Sequence, residues 1–199
     1  MRVGRRSAEP ARVLVADPPW SFSDKLTMGE VKRGAGSNYS TMSLEEVKAF
    51  QPPCPVADDA LLFLWSVAAM KEEALAVVRA WGFAPKSEIV WVKTSRNIYT
   101  DVPSGSEVII FPETLQGLAF GMGRYVRNCH ETCLIASRGK GNQLIEDRAV
   151  RSVFFAPAGR HSEKPEAFYG IVERLAGGPY VELFARRRRP GWHCFGDEL

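Results

Sequence analysis

Blocks of apolar residues, separated by turn-forming and charged residues, divide the chain into alternating strand and helix signals. Arg12-Val13-Leu14-Val15-Ala16 is a short apolar run that ends at Asp17-Pro18-Pro19, because proline cannot extend a central strand. A long loop over residues 21–41 carries Gly29, Gly34 and Gly36, and loops of this length in a compact domain are usually functional lids or disordered. Ser43-Leu44-Glu45-Glu46 fits a capping box that opens a short helix to about Phe50, after which Pro52, Pro53 and Pro55 forbid regular structure. Residues 60–65 (ALLFLW) and 87–92 (SEIVWV) read as buried strands. Between them Met70, Ala74, Val77, Val78 and Trp81 fall on one helical face, and Gly82 ends that helix. The signal weakens over residues 94–128, which predicts a long, partly mobile excursion. Strands follow at 131–136 and 152–155, with Gly139-Lys140-Gly141-Asn142 between them. Phe168, Ile171, Val172 and Leu175 mark a helix whose first position suits Pro165. Gly177-Gly178-Pro179 stops it, and residues 180–184 (YVELF) form a last core strand.

This alternation is that of an α/β fold with a mainly parallel sheet flanked by helices. The length of 199 residues suits a basic tail over residues 1–11 and a single domain over 12–199, without an internal repeat. No stretch reaches the roughly 18 uninterrupted apolar residues of a membrane span, and the charged start lacks a signal peptide's apolar core. A cytoplasmic protein is therefore expected. The four cysteines, Cys54, Cys129, Cys133 and Cys194, are too sparse for a disulfide scaffold and are expected as reduced, buried thiols. Cys129 and Cys133 have a C-x3-C spacing with His193-Cys194 further on, but the strand reading of residues 131–136 separates neighbours onto opposite faces. No metal site is expected.

The net charge is only +3, yet the cations are clumped. Arg2, Arg5 and Arg6, then Lys25, Lys32 and Arg33, then Arg124 and Arg127, then Arg138 and Lys140, and finally Arg186-Arg187-Arg188-Arg189 lie outside the predicted element interiors. Loops of an α/β fold gather at strand ends, so an anionic polymer is a reasonable partner.

Ligands of open α/β sheets bind beyond the carboxyl ends of the strands, and Asp17-Pro18-Pro19-Trp20 occupies such an end. The tetrad suits methylation of an exocyclic amine. An adenine amino nitrogen is a poor nucleophile because its lone pair is delocalised into the ring. If the Asp17 carboxylate and the Pro18 carbonyl accept its two protons, the nitrogen pyramidalises and the lone pair localises. Pro18 and Pro19 stiffen the loop, and Trp20 offers a stacking surface for a base removed from its helix, worth roughly 1–3 kcal/mol. Asp17 also offsets the positive charge that develops on nitrogen during attack on a sulfonium methyl.

Together these landmarks resemble the adenosine-methyltransferase family typified by the seventy-kilodalton catalytic subunit of the messenger-RNA N6-adenosine methyltransferase and its small prokaryotic and phage relatives. The landmarks stand in order: residues 16–20 (ADPPW), 38–43 (NYSTMS), 63–65 (FLW), 88–94 (EIVWVKT), 130–134 (HETCL), Lys164-Pro165-Glu166 with Tyr169-Gly170, and 182–186 (ELFAR). The resemblance covers almost the whole chain. It implies a Rossmann-like, S-adenosyl-L-methionine-dependent methyltransferase with permuted motif order, the catalytic strand coming first and the cofactor-binding strand last. It implies that Asp17 and Pro18 hold the target amine, with Pro19 and Trp20 completing the catalytic tetrad. Tyr39, Glu131 and Lys164 would meet the substrate. Asp17, Lys164, Phe184, Arg186, Asp197 and Glu198 would line the cofactor. Asp197 stands where the family usually has asparagine, and Arg188-Arg189 replace a His-Asn-like pair, making the cofactor wall more basic.

The implied substrate is adenine in nucleic acid. DNA is favoured because no accessory RNA-binding module accompanies the domain, and RNA is the alternative. Either a homodimer or a heterodimer with a target-recognition partner reads the nucleic acid, or sequence specificity is low. A non-catalytic nucleic-acid-binding subunit on the same fold is the competing class, although such subunits lose the tetrad that is intact here. A nucleotide-phosphate enzyme is set aside, since no G-x-x-x-x-G-K-[ST] loop exists and Gly121-Met122-Gly123 does not continue into G-x-G-x-x-G.

Overall fold

A computed structural model of the chain describes residues 9–21, 41–94, 117–121, 125–159, 163–197 and 199. It is an α/β structure built on a seven-stranded sheet: β1 (Ala11–Ala16), β2 (Val56–Ser66), β3 (Ala84–Thr94), β4 (His130–Arg138), β5 (Val153–Pro157), β6 (Tyr180–Leu183) and β7 (Trp192–Phe195). The spatial order is β5-β3-β4-β2-β1-β6-β7. Only β4 runs against the others, pairing antiparallel with both β2 and β3. The first strand of the chain is thus central, held between β2 and β6.

Among the described residues, three α-helices cover the sheet: α1 (Leu44–Ala49), α2 (Lys71–Ala80) and α3 (Glu166–Leu175). Ser43 closes the expected capping box, its side chain accepting from the Glu46 N–H while Glu46 accepts from the Ser43 N–H. On α2, Ala74, Val77 and Val78 are buried as the periodicity requires, and the chain leaves through Gly82 at φ 79°. Pro165 is the N-cap of α3, in extended conformation, rather than its first helical residue.

The period-two alternation of the strands sorts their side chains into two cores. Leu14, Leu62, Leu64, Leu134 and Val181 face α1 and α2. Val13, Val15, Leu61, Phe63, Trp65, Ile89, Trp91 and Cys133 face α3, where Phe168 and Val172 are fully buried. Burial of each such aromatic or aliphatic side chain contributes roughly 1.5–3 kcal/mol.

Several boundaries move. β2 begins four residues before the apolar run because Arg138, at the end of β4, donates to the carbonyls of Val56 and Ala57 at 3.0 and 2.6 Å. The segment 180–184 is not the last strand. β7 follows it, held parallel to β6 with the Tyr180 and Trp192 rings stacked at 4.8 Å. Of the thiols expected to be buried, only Cys133 is; Cys54, Cys129 and Cys194 are half-buried, and all four are free. Most of the excursion at 94–128 and of the loop at 21–41 lies outside the described residues. Among the described residues, no helix is long and apolar enough to cross a membrane, and no group of three His, Cys, Asp or Glu could hold a metal ion.

Candidate active site

The carboxyl ends of β1, β2, β3 and β6, with the start of β4, meet at one edge of the sheet. Asp17 follows β1 two residues after Val15, so its carboxylate continues the row that faces α3. The double proline ends strand pairing there. The Trp20 N–H donates back to the Pro18 carbonyl at 2.8 Å, and the Met42 N–H donates to the Pro19 carbonyl at 2.9 Å. These bonds pin the tetrad to the segment leading into α1. One lone pair of the Pro18 carbonyl is thereby used, and the other remains for a ligand. Trp20 itself is only 5% exposed. It packs in the core facing α1 and α2, with its indole N–H donating to the Trp65 carbonyl at 3.2 Å. The ring anchors the loop and is not an open stacking platform in this structure.

Asp17 does not stand alone. Lys164, on the approach to α3, donates to Asp17 Oδ2 at 2.8 Å and lies 3.3 Å from Glu131 Oε2. Glu131 Oε1 is taken by Lys93 Nζ at the end of β3. The result is a row of alternating charge, Asp17–Lys164–Glu131–Lys93, whose side chains are between 8% and 24% exposed. Burial alone would lower the Lys164 pKa, but Asp17 and Glu131 outweigh it and the pKa is raised. Burial alone would likewise raise the Glu131 pKa, but Lys164 and Lys93 outweigh it and the pKa is lowered. Both groups are therefore charged at neutral pH. Beneath them, burial drives the Cys133 thiol well above its usual pKa, so it is an inert core group. Lys164 Nζ also lies 5.2 Å from the Trp65 ring centre. Trp65 Nε1 and Thr94 Oγ1 are buried without a hydrogen-bond partner among the described residues.

The second half of the site sits at the end of β6, directly beside β1, with Ala16 opposite Leu183. Phe184 is half-buried and lies just beyond the strand rather than within it, at φ 60°. That left-handed residue breaks the alternation, and its ring turns to the other face to pack on Phe50 at 4.7 Å. The Ala185 N–H bonds the Phe195 carbonyl at 2.9 Å, which brings Asp197 beside the Phe184–Arg186 turn. Arg186 is half-buried and Asp197 is exposed.

The basic run that follows is not a free cationic wall. Arg189 is tucked under α3, its guanidinium 3.3 Å from the Tyr169 ring centre, paired with Glu166 and 3.9 Å from Glu182 Oε2. Arg187 pairs with Glu163 and Glu166, and Arg188 is exposed. Glu182 points inward from β6 and accepts from the Tyr169 hydroxyl at 2.6 Å. Burial raises its pKa.

Comparison with known proteins places this edge in context. The MT-A70 family model matches residues 11–198. The chain belongs to the MT-A70 family. Its relatives include an N(6)-adenosine-methyltransferase MT-A70-like protein of Drosophila melanogaster, 29% identical over 94% of this chain and 26% of that protein. The human N(6)-adenosine-methyltransferase catalytic subunit METTL3 is 27% identical over 94% of this chain and 28% of its own length. The type II methyltransferase M.MunI of a Mycoplasma species is 28% identical over 94% of this chain and 77% of its own length. The chain therefore spans about a quarter of the two animal relatives and about three quarters of the bacterial one.

In this MT-A70 domain, Asp17, Glu131 and Lys164 come together as one ion-paired group, and Phe184, Arg186 and Asp197 gather at the adjoining strand end. Tyr39 and Glu198 lie outside the described residues. Sequence reasoning did not single out Lys93, Trp65 or the Tyr169–Glu182–Arg189 cluster. Lys93 had a readable signal: it continues the row Ile89, Trp91 at the end of a buried strand, where a cation needs a carboxylate. Glu182, the one charged residue within its strand, had a similar one.

Proposed function

We propose that this MT-A70 domain transfers a methyl group from S-adenosyl-L-methionine to the N6 amine of adenine in nucleic acid, with DNA the favoured substrate. The observation that carries this reading is the division of the Asp17 carboxylate. Lys164 takes Oδ2, while Oδ1 has no hydrogen-bond partner among the described residues. A fixed acceptor with one available oxygen, beside a proline carbonyl with one available lone pair, suits an amine that presents two N–H groups. Lys164 orients the Asp17 carboxylate without removing its second acceptor.

The residues present also fit the cofactor. When bound, S-adenosyl-L-methionine supplies an electrophilic methyl group. Lys164 has a third N–H beyond those directed at Asp17 and Glu131, suited to a carboxylate. Phe184 offers an aromatic face, and exposed Asp197 can accept from sugar hydroxyls. On this reading β6 is the cofactor strand and β1 the catalytic one, so the motif order is permuted. Arg189 is committed to Glu166 and Glu182, so it adds less basic character to that wall than the sequence implies.

The preference for DNA is supported by the match to most of the length of a type II methyltransferase, against about a quarter of METTL3. RNA is the second reading, on the printed activity of the N(6)-adenosine-methyltransferase relatives. Target choice would come from a second copy of the chain or from a target-recognition partner, and the setting would be cytoplasmic.

The test supplies isotopically labelled cofactor with genomic DNA, total RNA and single-stranded oligomers, followed by mass spectrometry of the nucleosides. Labelled N6-methyladenine in DNA is the expected product. Asp17→Ala should abolish transfer while cofactor affinity stays within about tenfold, or roughly 1.4 kcal/mol. Cofactor binding without transfer to any nucleic acid would instead establish a non-catalytic subunit.

A further inference from the structure

Lys93 has no place in the amine-holding geometry, yet it is built into the same row of charge. Its backbone is clamped on both sides, its N–H donating to the Cys129 carbonyl at 2.7 Å and its carbonyl accepting from Ala119 at 2.8 Å. Its ammonium stands 5.0 Å from the Trp91 ring centre and takes Glu131 Oε1. Glu131 Oε2 is left to face Lys164 at 3.3 Å, a looser contact than the 2.8 Å between Lys164 and Asp17. Two carboxylates thus compete for one buried ammonium, and the outer lysine decides how that competition ends.

We infer that Lys93 is a positioning residue: by holding one oxygen of Glu131, it keeps Lys164 on Asp17 and so sets the orientation of the amine-accepting carboxylate. Without Lys93, both oxygens of Glu131 turn to Lys164 and draw it away from Asp17. Asp17 then loses the partner that fixes Oδ2, and its carboxylate rotates off the amine. The effect is one of geometry and charge carried through two neighbours, without contact between Lys93 and the reacting atoms. Among the described residues, the charged groups around Glu131 are Lys93 from β3, Lys164 from the approach to α3, and Asp17 beyond Lys164 from the end of β1. The Cys133 thiol lies two residues along its own strand. Lys93 contacts Glu131 Oε1, and of the two lysines only Lys164 also pairs with Asp17 among the described residues.

This inference rests on the methyl-transfer reading above, and its test separates the two. Lys93→Met and Lys93→Arg are compared with the unsubstituted chain in kcat, KM for each substrate, cofactor Kd, and the pH dependence of kcat. A parallel experiment follows the Glu131 carboxyl by 13C NMR titration, with Glu131→Gln for assignment. The methionine variant should lose about tenfold to a hundredfold in kcat, as misplacement of a reacting group by an ångström does, with the loss in kcat exceeding any change in cofactor Kd. Its acid limb should move to higher pH, because Glu131 has lost one of the two cations that hold its pKa down. Arginine, which keeps the charge, should restore most of the rate and the acid limb. A methionine variant with unchanged kcat and acid limb overturns the inference, as does an arginine variant as impaired as methionine. If the unsubstituted chain transfers no methyl group, the function fails, and the inference is decided by the NMR titration alone. An unmoved Glu131 titration in the methionine variant overturns it, and an upward shift upholds the charge coupling.

Discussion

Replacing Lys164 by methionine is the perturbation that most directly reads the ionic row. The side chain is 8% exposed and separates Asp17, 22% exposed, from Glu131, 16% exposed. Methionine fills nearly the same volume, so cavity formation is small and the loss, including the cation–π contact with Trp65, is electrostatic. Removing one partner of a buried pair costs about 3–5 kcal/mol. Because both carboxylates retain some solvent and Glu131 retains Lys93, a value of about 2–3 kcal/mol at pH 7 is expected. The sign with pH follows from the direction of each shift. In the unsubstituted chain the Glu131 pKa is lowered, so its contribution is present above the unfolded-state value and is lost as pH falls through the folded one. The raised Lys164 pKa gives a contribution complete below its unfolded value and lost only in strong alkali. In Lys164→Met, burial acts on Glu131 with Lys93 alone opposing it, so the Glu131 pKa rises and protonation relieves the site. The penalty should therefore shrink as pH falls from 7 toward about 4.5. Urea denaturation at both pH values, read as the midpoint with constant slope, measures this. A penalty below about 0.5 kcal/mol at pH 7, the range of an ordinary surface substitution, would refute the ionic reading. So would a penalty unchanged at the lower pH.

Three further outcomes follow from individual contacts. Tyr169→Phe removes the 2.6 Å hydrogen bond to the buried Glu182 carboxylate, and should cost about 1–3 kcal/mol by chemical denaturation. Ser43→Ala opens the capping box of α1 and should cost about 1 kcal/mol by the same measurement, with methyl transfer retained. At Gly196, an added Cβ would stand 2.0 Å from the Ala185 carbonyl oxygen, so alanine must push the chain after β7 off the Phe184–Arg186 turn. Gly196→Ala should weaken S-adenosyl-L-methionine binding at least tenfold in calorimetry while the far-ultraviolet circular dichroism stays unchanged.

How much was legible beforehand depended on whether a residue's environment came from its own chain neighbours. The interior strands and α2 were readable because their apolar periods are local, and Ser43 with Glu46 form their bonds within one helical turn. β7 was not, because Trp192, His193, Cys194 and Phe195 alternate weakly after a run of arginines. Its strand character comes from pairing with β6, which only the folded sheet provides. Phe184 shows the same limit in a single residue. An apolar run predicts that it continues the strand, whereas its left-handed backbone turns the ring to the opposite face.

The candidate site divides along the same line. Asp17 is legible from the chemistry of its tetrad at a strand end, whereas Glu131 and Lys164 come only through resemblance to a family, since 114 positions separate Asp17 from Glu131 and sequence spacing alone carries no proximity. What the resemblance left out is the balance among them. One ammonium shared by two carboxylates is an unstable assignment, because either acid can claim it. A second ammonium on the outer acid resolves the competition in favour of Asp17. Trp20 underwent the opposite change, from an expected stacking surface to a buried anchor, because its indole N–H needs an acceptor and the end of β2 supplies one. The same tetrad thus couples the ionic row to the core: the aspartate pairs with Lys164, the prolines stop the strand, and the tryptophan fastens the turn. A substitution at Trp20 should accordingly appear first as lost stability and only through it as lost transfer, whereas one at Asp17 should remove the reaction well beyond the stability lost with the Lys164 ion pair. Parallel denaturation and methylation measurements on Trp20→Phe and Asp17→Ala distinguish these two roles. A Trp20→Phe variant of full stability and no activity would return the ring to direct contact with the base.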